Sequence, residues 1–152
     1  MDAYPFGHFI GSAVALDLVA YSGPTIELAA LLPYQEVITG CAFLLLNTGW
    51  HRYWGKDRYF IDYPVLSVDA ALWLSGLGLR GVGVDAVSLD AADAADYHVH
   101  RAFLGRDMVI IENLTNLDAL PGVRFTFVAF PLRIDRADGA PVRAVAIVTD
   151  SD

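Results

Sequence analysis

Six consecutive apolar residues, positions 41–46, followed directly by Asn47, constrain the fold of this chain more than any other feature. The run is much shorter than the roughly 18 residues that a membrane span requires. It is also too uniformly apolar for an amphipathic surface helix. Strands buried on both faces of a sheet have this pattern. We therefore predict that residues 41–46 form a central strand.

Strand and helix patterns alternate along the rest of the chain. Runs rich in β-branched residues predict further strands at 12–19, 82–87, 108–111, 124–134 and 142–149. Helical spacing and capping residues predict three helices: one with Thr25 as N-cap that ends at Pro33, one capped by Ser67, and one over 97–105. The last two strands flank a turn at 135–141 and should pair as an antiparallel hairpin. The predicted class is α/β, a single domain over residues 1–152 with a mixed β-sheet core and flanking helices.

Composition excludes several classes of protein. Apolar residues make up 55% of the chain and charged residues 18%, which is incompatible with intrinsic disorder. Ten Lys and Arg residues against 18 Asp and Glu residues leave a net charge of −8, so nucleic acid is an unsuitable partner. The single cysteine, Cys41, forms neither a disulfide framework nor a thiolate metal cluster. The cysteine usage makes a reducing cytoplasm the expected location. The first nine residues lack a basic region and a long apolar region, so we expect no secretory signal.

Two histidines and a glutamate are the first candidates for chemistry. His98 and His100 lie two residues apart, and Glu112 follows His100 by twelve positions, directly after four apolar strand residues. A carboxylate in that place either leaves the core at the edge of the sheet or is buried and paired. On spacing alone both interpretations stay open, since such pairs of His and Glu are common.

A resemblance to a known family indicates a fold and a type of activity for this chain. Matching motifs follow one another in order along almost the whole chain: 47–50, 66–67, 83–85 with Ser88 and Asp90, His100 with 112–117, 131–132 and 141–144. This set resembles the cyclase family of metal-dependent hydrolases, which includes bacterial kynurenine formamidase and isatin hydrolase. The resemblance implies the family's fold and a hydrolase that cleaves a C–N bond of a small amide or lactam by metal-activated water.

The resemblance also implies roles for individual residues. Positions 1–9 are similar to the end of the family's metal-binding motif, so Asp2 corresponds to its carboxylate ligand and His8 to its acid/base residue. His100 and Glu112 correspond to further metal ligands. Histidine nitrogens and carboxylate oxygens without thiolates suit zinc, manganese or ferrous iron, and we expect zinc or manganese.

Two departures from the family motif leave a second interpretation open. Asp2 and His8 are six positions apart rather than four, and the two upstream ligand histidines of the motif are absent. We therefore expect an N-terminally truncated cyclase-like domain. The alternative is a catalytically incomplete fragment of the cyclase fold that acts as a binding or assembly module.

The segment 51–64 mixes aromatic and charged residues without a period and is predicted to be a long loop. With Trp50 before it, the aromatic residues could line a pocket for a flat aromatic substrate, as the resemblance implies, or pack at a subunit interface. For the pocket the candidates are Trp50, Tyr53 and Trp54. The high apolar content favours a homodimer with Trp50 or Trp54 near the interface. A small-molecule amide and a second copy of the chain are thus the expected partners.

Other polar residues receive structural assignments. A polar turn after a buried strand usually satisfies its own backbone, so Asp85, Ser88 and Asp90 are interpreted as turn residues. His51 and His98 are interpreted as surface residues.

Overall fold

The computed structural model describes residues 4–120 and 122–148. Six of its strands form one mixed sheet in the order β6-β5-β3-β1-β7-β8, and β2 pairs separately with β4. The strands are β1 Ile10–Asp17, β2 Thr25–Ile26, β3 Phe43–Asn47, β4 Val65–Leu66, β5 Gly81–Val84, β6 Val109–Ile111, β7 Phe125–Pro131 and β8 Val142–Ile147. β1, β3, β5 and β6 are parallel, whereas β7 runs antiparallel to β1 and to β8. The predicted α/β class, mixed sheet and terminal hairpin are confirmed.

The apolar run at 41–46 forms β3, and all five residues of this strand are buried. Leu44 and Leu46 belong to one hydrophobic cluster, and Phe43 and Leu45 belong to another. This division follows from the period of two along a strand, which points successive side chains to opposite faces of the sheet. The predicted central strand is confirmed, and both of its faces contact a core.

Within the described residues, four short α-helices flank the sheet: α1 Leu28–Leu31, α2 Gln35–Ile38, α3 Val68–Ser75 and α4 His98–Leu104. The Ser67 hydroxyl accepts a hydrogen bond from the Ala70 N–H at 3.2 Å, and α3 ends at Gly76 as its C-cap. The predicted cap is therefore confirmed. The helix predicted at 97–105 is α4, which packs against α3.

The helix predicted to start at Thr25 begins later, and Thr25 is not its cap. Thr25 and Ile26 instead pair in parallel with Val65 and Leu66 as β2 and β4. Ile26 is buried in that arrangement, so burial and strand pairing outweigh the capping preference of Thr25. The helix, α1, ends at Leu31, and Pro33 follows it within a 3-10 turn, Leu32–Tyr34, in agreement with the predicted helix end.

The predicted loop after β3 contains two 3-10 turns, Trp50–Tyr53 and Asp57–Phe60. It has no regular strand or α-helix before β4. No helix in the described ranges has the length and apolarity needed to cross a membrane.

Polar residues gather where the four parallel strands end. Asp17 and Asn47 are the last residues of β1 and β3, and Asp85 and Glu112 directly follow β5 and β6. Because these strands are parallel, their carboxyl ends meet at one edge of the sheet. Ligand sites in open α/β sheets form at this edge.

Candidate active site

The structure brings the two predicted residues His100 and Glu112 together. Glu112 is the first residue after β6, and His100 is the third residue of α4. His100 Nε2 lies 3.5 Å from Glu112 Oε1. Both side chains are partly exposed, at 28% and 29%. Neither side chain is fully enclosed by the protein.

Asp90 holds the other side of the His100 ring. Asp90 Oδ2 lies 2.7 Å from His100 Nδ1 and accepts the His100 backbone N–H at 2.9 Å. Asp90 Oδ1 accepts the Val99 N–H at 3.0 Å. With Nδ1 engaged by a carboxylate, the ring orientation is fixed and Nε2 faces Glu112.

The contacts of Asp90 correct its assignment as a turn residue that satisfies its own backbone. The Asp90 backbone N–H is satisfied within the turn, because it donates to the Ser88 hydroxyl at 3.2 Å. The Asp90 carboxylate instead binds residues nine and ten positions further along the chain. The sequence did carry one signal: a buried acidic residue needs partners, and a helix with a histidine follows.

Electrostatics agree with this geometry. Burial acts to raise the pKa of Asp90, but hydrogen bonds from the backbone of Val99 and from the ring and backbone of His100 outweigh it and lower that pKa. The contact with Glu112 raises the pKa of His100, burial opposes this, and Asp90 raises it further, so the net shift is upward. The His100 imidazole thus lies between two carboxylates, Asp90 and Glu112, which favour its protonated form.

Glu112 Oε1 is a buried atom with no hydrogen-bond donor. The 3.5 Å contact with His100 Nε2 is long for a hydrogen bond and leaves the oxygen unsatisfied. Two ligands that bind one zinc ion at 2.0–2.2 Å in tetrahedral geometry lie about 3.4 Å apart. The spacing and the unsatisfied oxygen therefore fit a pair of ligands on one divalent cation.

The described residues contain no cluster of three or more His, Cys, Asp or Glu side chains arranged for a metal. The predicted ligand Asp2 lies outside the described residues. Among the described residues, His100 and Glu112 alone do not make a complete metal site.

His100 and Glu112 line a cavity of about 670 Å³. Its lining includes residues of β6, β7, β8 and the turn between β7 and β8. The lining residues are Phe9, His100, Leu104, Val109, Ile110, Ile111, Glu112, Asn113, Ala129, Pro131, Asp138, Gly139, Ala140, Pro141 and Val142. This volume is within the range of small-molecule pockets.

The predicted acid/base residue His8 is placed at the other end of the sheet. It lies in the 3-10 turn Phe6–Phe9 before β1, whereas Glu112 follows the carboxyl end of β6. Its ring stacks on Tyr4 with centroids 4.5 Å apart, and its Nε2 is buried without a hydrogen-bond partner. The next residue, Phe9, lines the cavity of Glu112.

A second carboxylate and histidine pair lies beside the site. Asp85 is fully buried, accepts the Thr48 backbone N–H at 2.9 Å, and lies 3.0 Å from His51 Nδ1. The His51 side chain is 25% exposed. Its interpretation as a surface residue is therefore wrong, because the adjacent strands β3 and β5 bring the residues that follow them together. His98, with 58% of its side chain exposed, is a surface residue as predicted.

Aromatic residues of the segment after β3 are linked by hydrogen bonds to Asn113, the residue next to Glu112. The Tyr59 hydroxyl donates to Asn113 Oδ1 at 2.8 Å, and the Trp50 indole N–H donates to the Tyr59 carbonyl at 3.0 Å. Burial, with the negative charges of Asp85 and Glu112, raises the pKa of Tyr59 to about 12. The Tyr59 hydroxyl therefore keeps its proton at neutral pH. Its hydrogen bond connects this segment to Asn113, the residue next to Glu112. Sequence reasoning missed this link, since no spacing relates residues 54 positions apart.

The structure does not bring the predicted substrate-binding residues to the cavity of Glu112. Trp50 and Tyr53 line a different cavity of about 310 Å³, together with residues of the segment after β1. The Arg58 guanidinium stacks over the Tyr53 ring at 4.5 Å. Trp54 is 66% exposed.

Comparisons with known proteins place the chain among cyclases and their relatives. The family model named Cyclase matches residues 1–91. The chain is 36% identical to a kynurenine formamidase of Bacillus anthracis over 139 residues, which is 86% of this chain. It spans 65% of the length of that formamidase.

Solved structures share the fold. Isatin hydrolase A from Labrenzia aggregata, bound to benzyl benzoate, superposes with a TM-score of 0.87 and 25% identity over 98% of this chain and 65% of its own. A potential metal-dependent hydrolase with cyclase activity superposes with a TM-score of 0.78 and 26% identity over 96% of this chain and 69% of its own.

Proposed function

Because the chain belongs to the cyclase family, we propose that it is a metal-dependent hydrolase that cleaves a C–N bond of a small amide or lactam. The observation that carries the proposal is the pair of His100 Nε2 and Glu112 Oε1, 3.5 Å apart on the wall of a cavity. The unsatisfied Glu112 oxygen supports a role as ligand rather than as a structural ion pair. Relatives named for formamidase and isatin hydrolase activity support the amide or lactam substrate.

In this proposal His100 and Glu112 hold a divalent cation, zinc or manganese, and Asp2 is a further ligand. A bound ion of this kind polarises a carbonyl oxygen and lowers the pKa of a water molecule to about 7. The chain's own contribution is to fix the ligands. Asp90 keeps the Nδ1 side of His100 engaged, so that Nε2 is presented to the cavity.

His8 is proposed as the acid/base residue from the family resemblance alone, since it precedes β1 and lies at the opposite end of the sheet from Glu112. Its Nε2 is buried without a hydrogen-bond partner, and the adjacent Phe9 lines the cavity. An imidazole can take a proton from the attacking water at Nε2 and return it to the leaving nitrogen, because its ordinary pKa is near neutral.

The test compares metal content and amide hydrolysis in matched variants. We expect His100→Ala and Glu112→Gln to lower bound metal and hydrolysis of formanilide, an aryl formamide, by at least tenfold. His98→Ala is the control, because His98 is exposed on the same helix two residues earlier. Metal content that is unchanged in His100→Ala would overturn the assignment.

A second candidate function is a cyclase-fold binding or assembly module without catalysis. The lack of a three-ligand cluster among the described residues favours it. Elemental analysis of the purified chain separates the two candidates: stoichiometric zinc or manganese supports the hydrolase, and no metal after reconstitution supports the module.

A further inference from the structure

Asn113 contributes an amide side chain to the cavity of Glu112. It directly follows Glu112, and both residues line the cavity together with His100. The Asn113 backbone is left-handed, with φ of 59°, and its N–H donates to the Ala86 carbonyl at 2.9 Å. This bond connects Asn113 to the segment that follows β5. The backbone from which the amide side chain extends is therefore held in place.

Tyr59 determines which end of the Asn113 amide is left free. Tyr59 is 1% exposed, and its hydroxyl has one hydrogen-bond partner in the described chain, Asn113, at 2.8 Å. A buried hydroxyl donates its proton to an acceptor, and in an amide side chain only the oxygen accepts. Asn113 Oδ1 therefore binds Tyr59. The two N–H groups of Nδ2 remain, and no described residue accepts a hydrogen bond from them.

The free Nδ2 group differs from the other side-chain donors of the cavity. Among the described residues that line it, only His100 and Asn113 carry side-chain N–H groups. Both ring nitrogens of His100 face carboxylates, with Asp90 at 2.7 Å and Glu112 at 3.5 Å. Asn113 is thus the lining side chain whose N–H groups are available to a neutral ligand.

A fixed N–H donor matches the charge that develops during amide hydrolysis. A water oxygen forms a bond to the carbonyl carbon, and the π electrons of the C=O bond move to the carbonyl oxygen as negative charge. The C–N bond then breaks, and a proton of the water passes to the leaving nitrogen. A donor that is already oriented stabilises the carbonyl oxygen more strongly after the attack than before it, so it accelerates the reaction.

We propose that Asn113 is a catalytic residue whose Nδ2 group donates a hydrogen bond to the carbonyl oxygen of the amide that is cleaved, and that Tyr59 is its positioning residue. The inference rests on the proposed function for the class of reaction. It gives the aromatic segment after β3 a part in catalysis, because the Tyr59 hydroxyl holds Oδ1 and leaves Nδ2 to the substrate.

The first test removes the donor. Glycine also adopts a left-handed backbone, so Asn113→Gly deletes the amide without backbone strain. We expect kcat for formanilide to fall by about 100-fold while bound metal and KM stay close to those of the parent chain. Asn116→Gly is the matched control, because Asn116 is also left-handed, with φ of 61°, and does not line the cavity. It should leave kcat unchanged.

Two further measurements separate hydrogen-bond donation from a structural role. Asn113→Asp keeps an oxygen for the Tyr59 hydroxyl but has no N–H, so it should unfold at a higher temperature than Asn113→Gly while kcat falls at least tenfold. Thioformanilide carries sulfur in place of the carbonyl oxygen, and sulfur accepts hydrogen bonds weakly. Asn113→Gly should therefore slow its hydrolysis by less than about tenfold.

Equal losses of kcat with formanilide and thioformanilide, or a parent-like kcat in Asn113→Asp, would overturn the inference and leave the proposed function standing. Infrared spectra of bound formanilide, labelled with ¹³C at the carbonyl, test the hydrogen bond without turnover. Asn113→Gly should raise the carbonyl stretching frequency. If the parent chain hydrolyses neither substrate, the proposed function fails, and this frequency shift alone supports the donor. An unchanged frequency, or no binding of formanilide, refutes it.

Discussion

Tyr59 and Asn113 lie 54 positions apart in the chain, yet the Tyr59 hydroxyl donates to Asn113 Oδ1 at 2.8 Å. Asn113 has a left-handed backbone with φ of 59°, and its N–H donates to the Ala86 carbonyl at 2.9 Å. The segment after β3 is thereby connected to the residue that follows Glu112. The position of Glu112 consequently depends on the aromatic segment, although Tyr59 does not line the cavity.

Removing that hydrogen bond should cost stability. Tyr59→Phe keeps the buried ring and leaves Asn113 Oδ1 without its donor, so we expect a loss of about 1 kcal/mol in the free energy of unfolding. Urea denaturation measures it. Tyr34→Phe is the control, because Tyr34 is 37% exposed, and it should change stability by less than about 0.5 kcal/mol.

The raised pKa of Tyr59 predicts a dependence of stability on alkaline pH. The folded-state pKa of about 12 exceeds the ordinary value of 10.0, so the folded chain retains a proton that the unfolded chain releases. The contribution of Tyr59 is complete below pH 10 and is lost as the pH rises from 10 to 12. Denaturation at pH 9, 10 and 11 should show a smaller decline in Tyr59→Phe than in the parent chain. Identical slopes would refute the link.

Asp90→Asn should weaken metal binding without removing a ligand. The amide keeps one oxygen for an N–H of α4 but loses the carboxylate that orients the His100 ring. We expect affinity for zinc to fall by about 10–100-fold, which competition with a chromogenic chelator measures. Asp93→Asn serves for comparison, because Asp93 is exposed three residues later. Equal affinities in both variants would contradict the positioning role.

The close approach of β5 to β6 predicts a position that tolerates only glycine. A Cβ at Gly81 would lie 2.8 Å from the Val109 carbonyl oxygen and 2.7 Å from Val109 Cγ2. Because the nearby oxygen is backbone, Gly81→Ala should force the strands apart and cost about 1–3 kcal/mol. Gly7→Ala, which meets nothing within 4 Å, should be nearly neutral in the same thermal denaturation. A stable Gly81→Ala variant would show that β6 can shift.

A homodimer remains a prediction from composition and the aromatic segment. Trp54 and Phe60 are 66% and 60% exposed, and a second copy of the chain would cover them. Light scattering during size exclusion should give a mass twice that of the 16.5 kDa chain. Trp54→Ala should shift the equilibrium toward monomer, whereas Leu72→Ala, on the exposed side of α3, should not. A parent chain that elutes as a monomer at micromolar concentration would refute the prediction.

Periodicity and capping were sufficient to predict most of the fold. The apolar run that became β3, the Ser67 cap of α3 and the terminal hairpin depend on interactions within one strand or one helical turn, which neighbouring residues determine. Thr25 shows the limit of this reasoning. Its local preference was for a helix cap, but pairing with Val65, forty residues away, placed it in a strand.

The residues of the site likewise divide into those that the sequence identifies and those that only the fold brings together. The sequence by itself singled out His100 and Glu112, because a carboxylate after a buried strand is unusual and the resemblance assigned both residues. Only the tertiary structure decided that Asp90 orients His100, that His51 pairs with Asp85, and that Trp50 and Tyr53 line another cavity. His51 and Asp85 follow different strands, and so do Trp50 and the residues after β1 that share its cavity, whereas Asp90 and His100 both lie between β5 and β6. Parallel strands bring their carboxyl ends together at one sheet edge regardless of separation along the chain, so residue spacing carries no record of which side chains meet there.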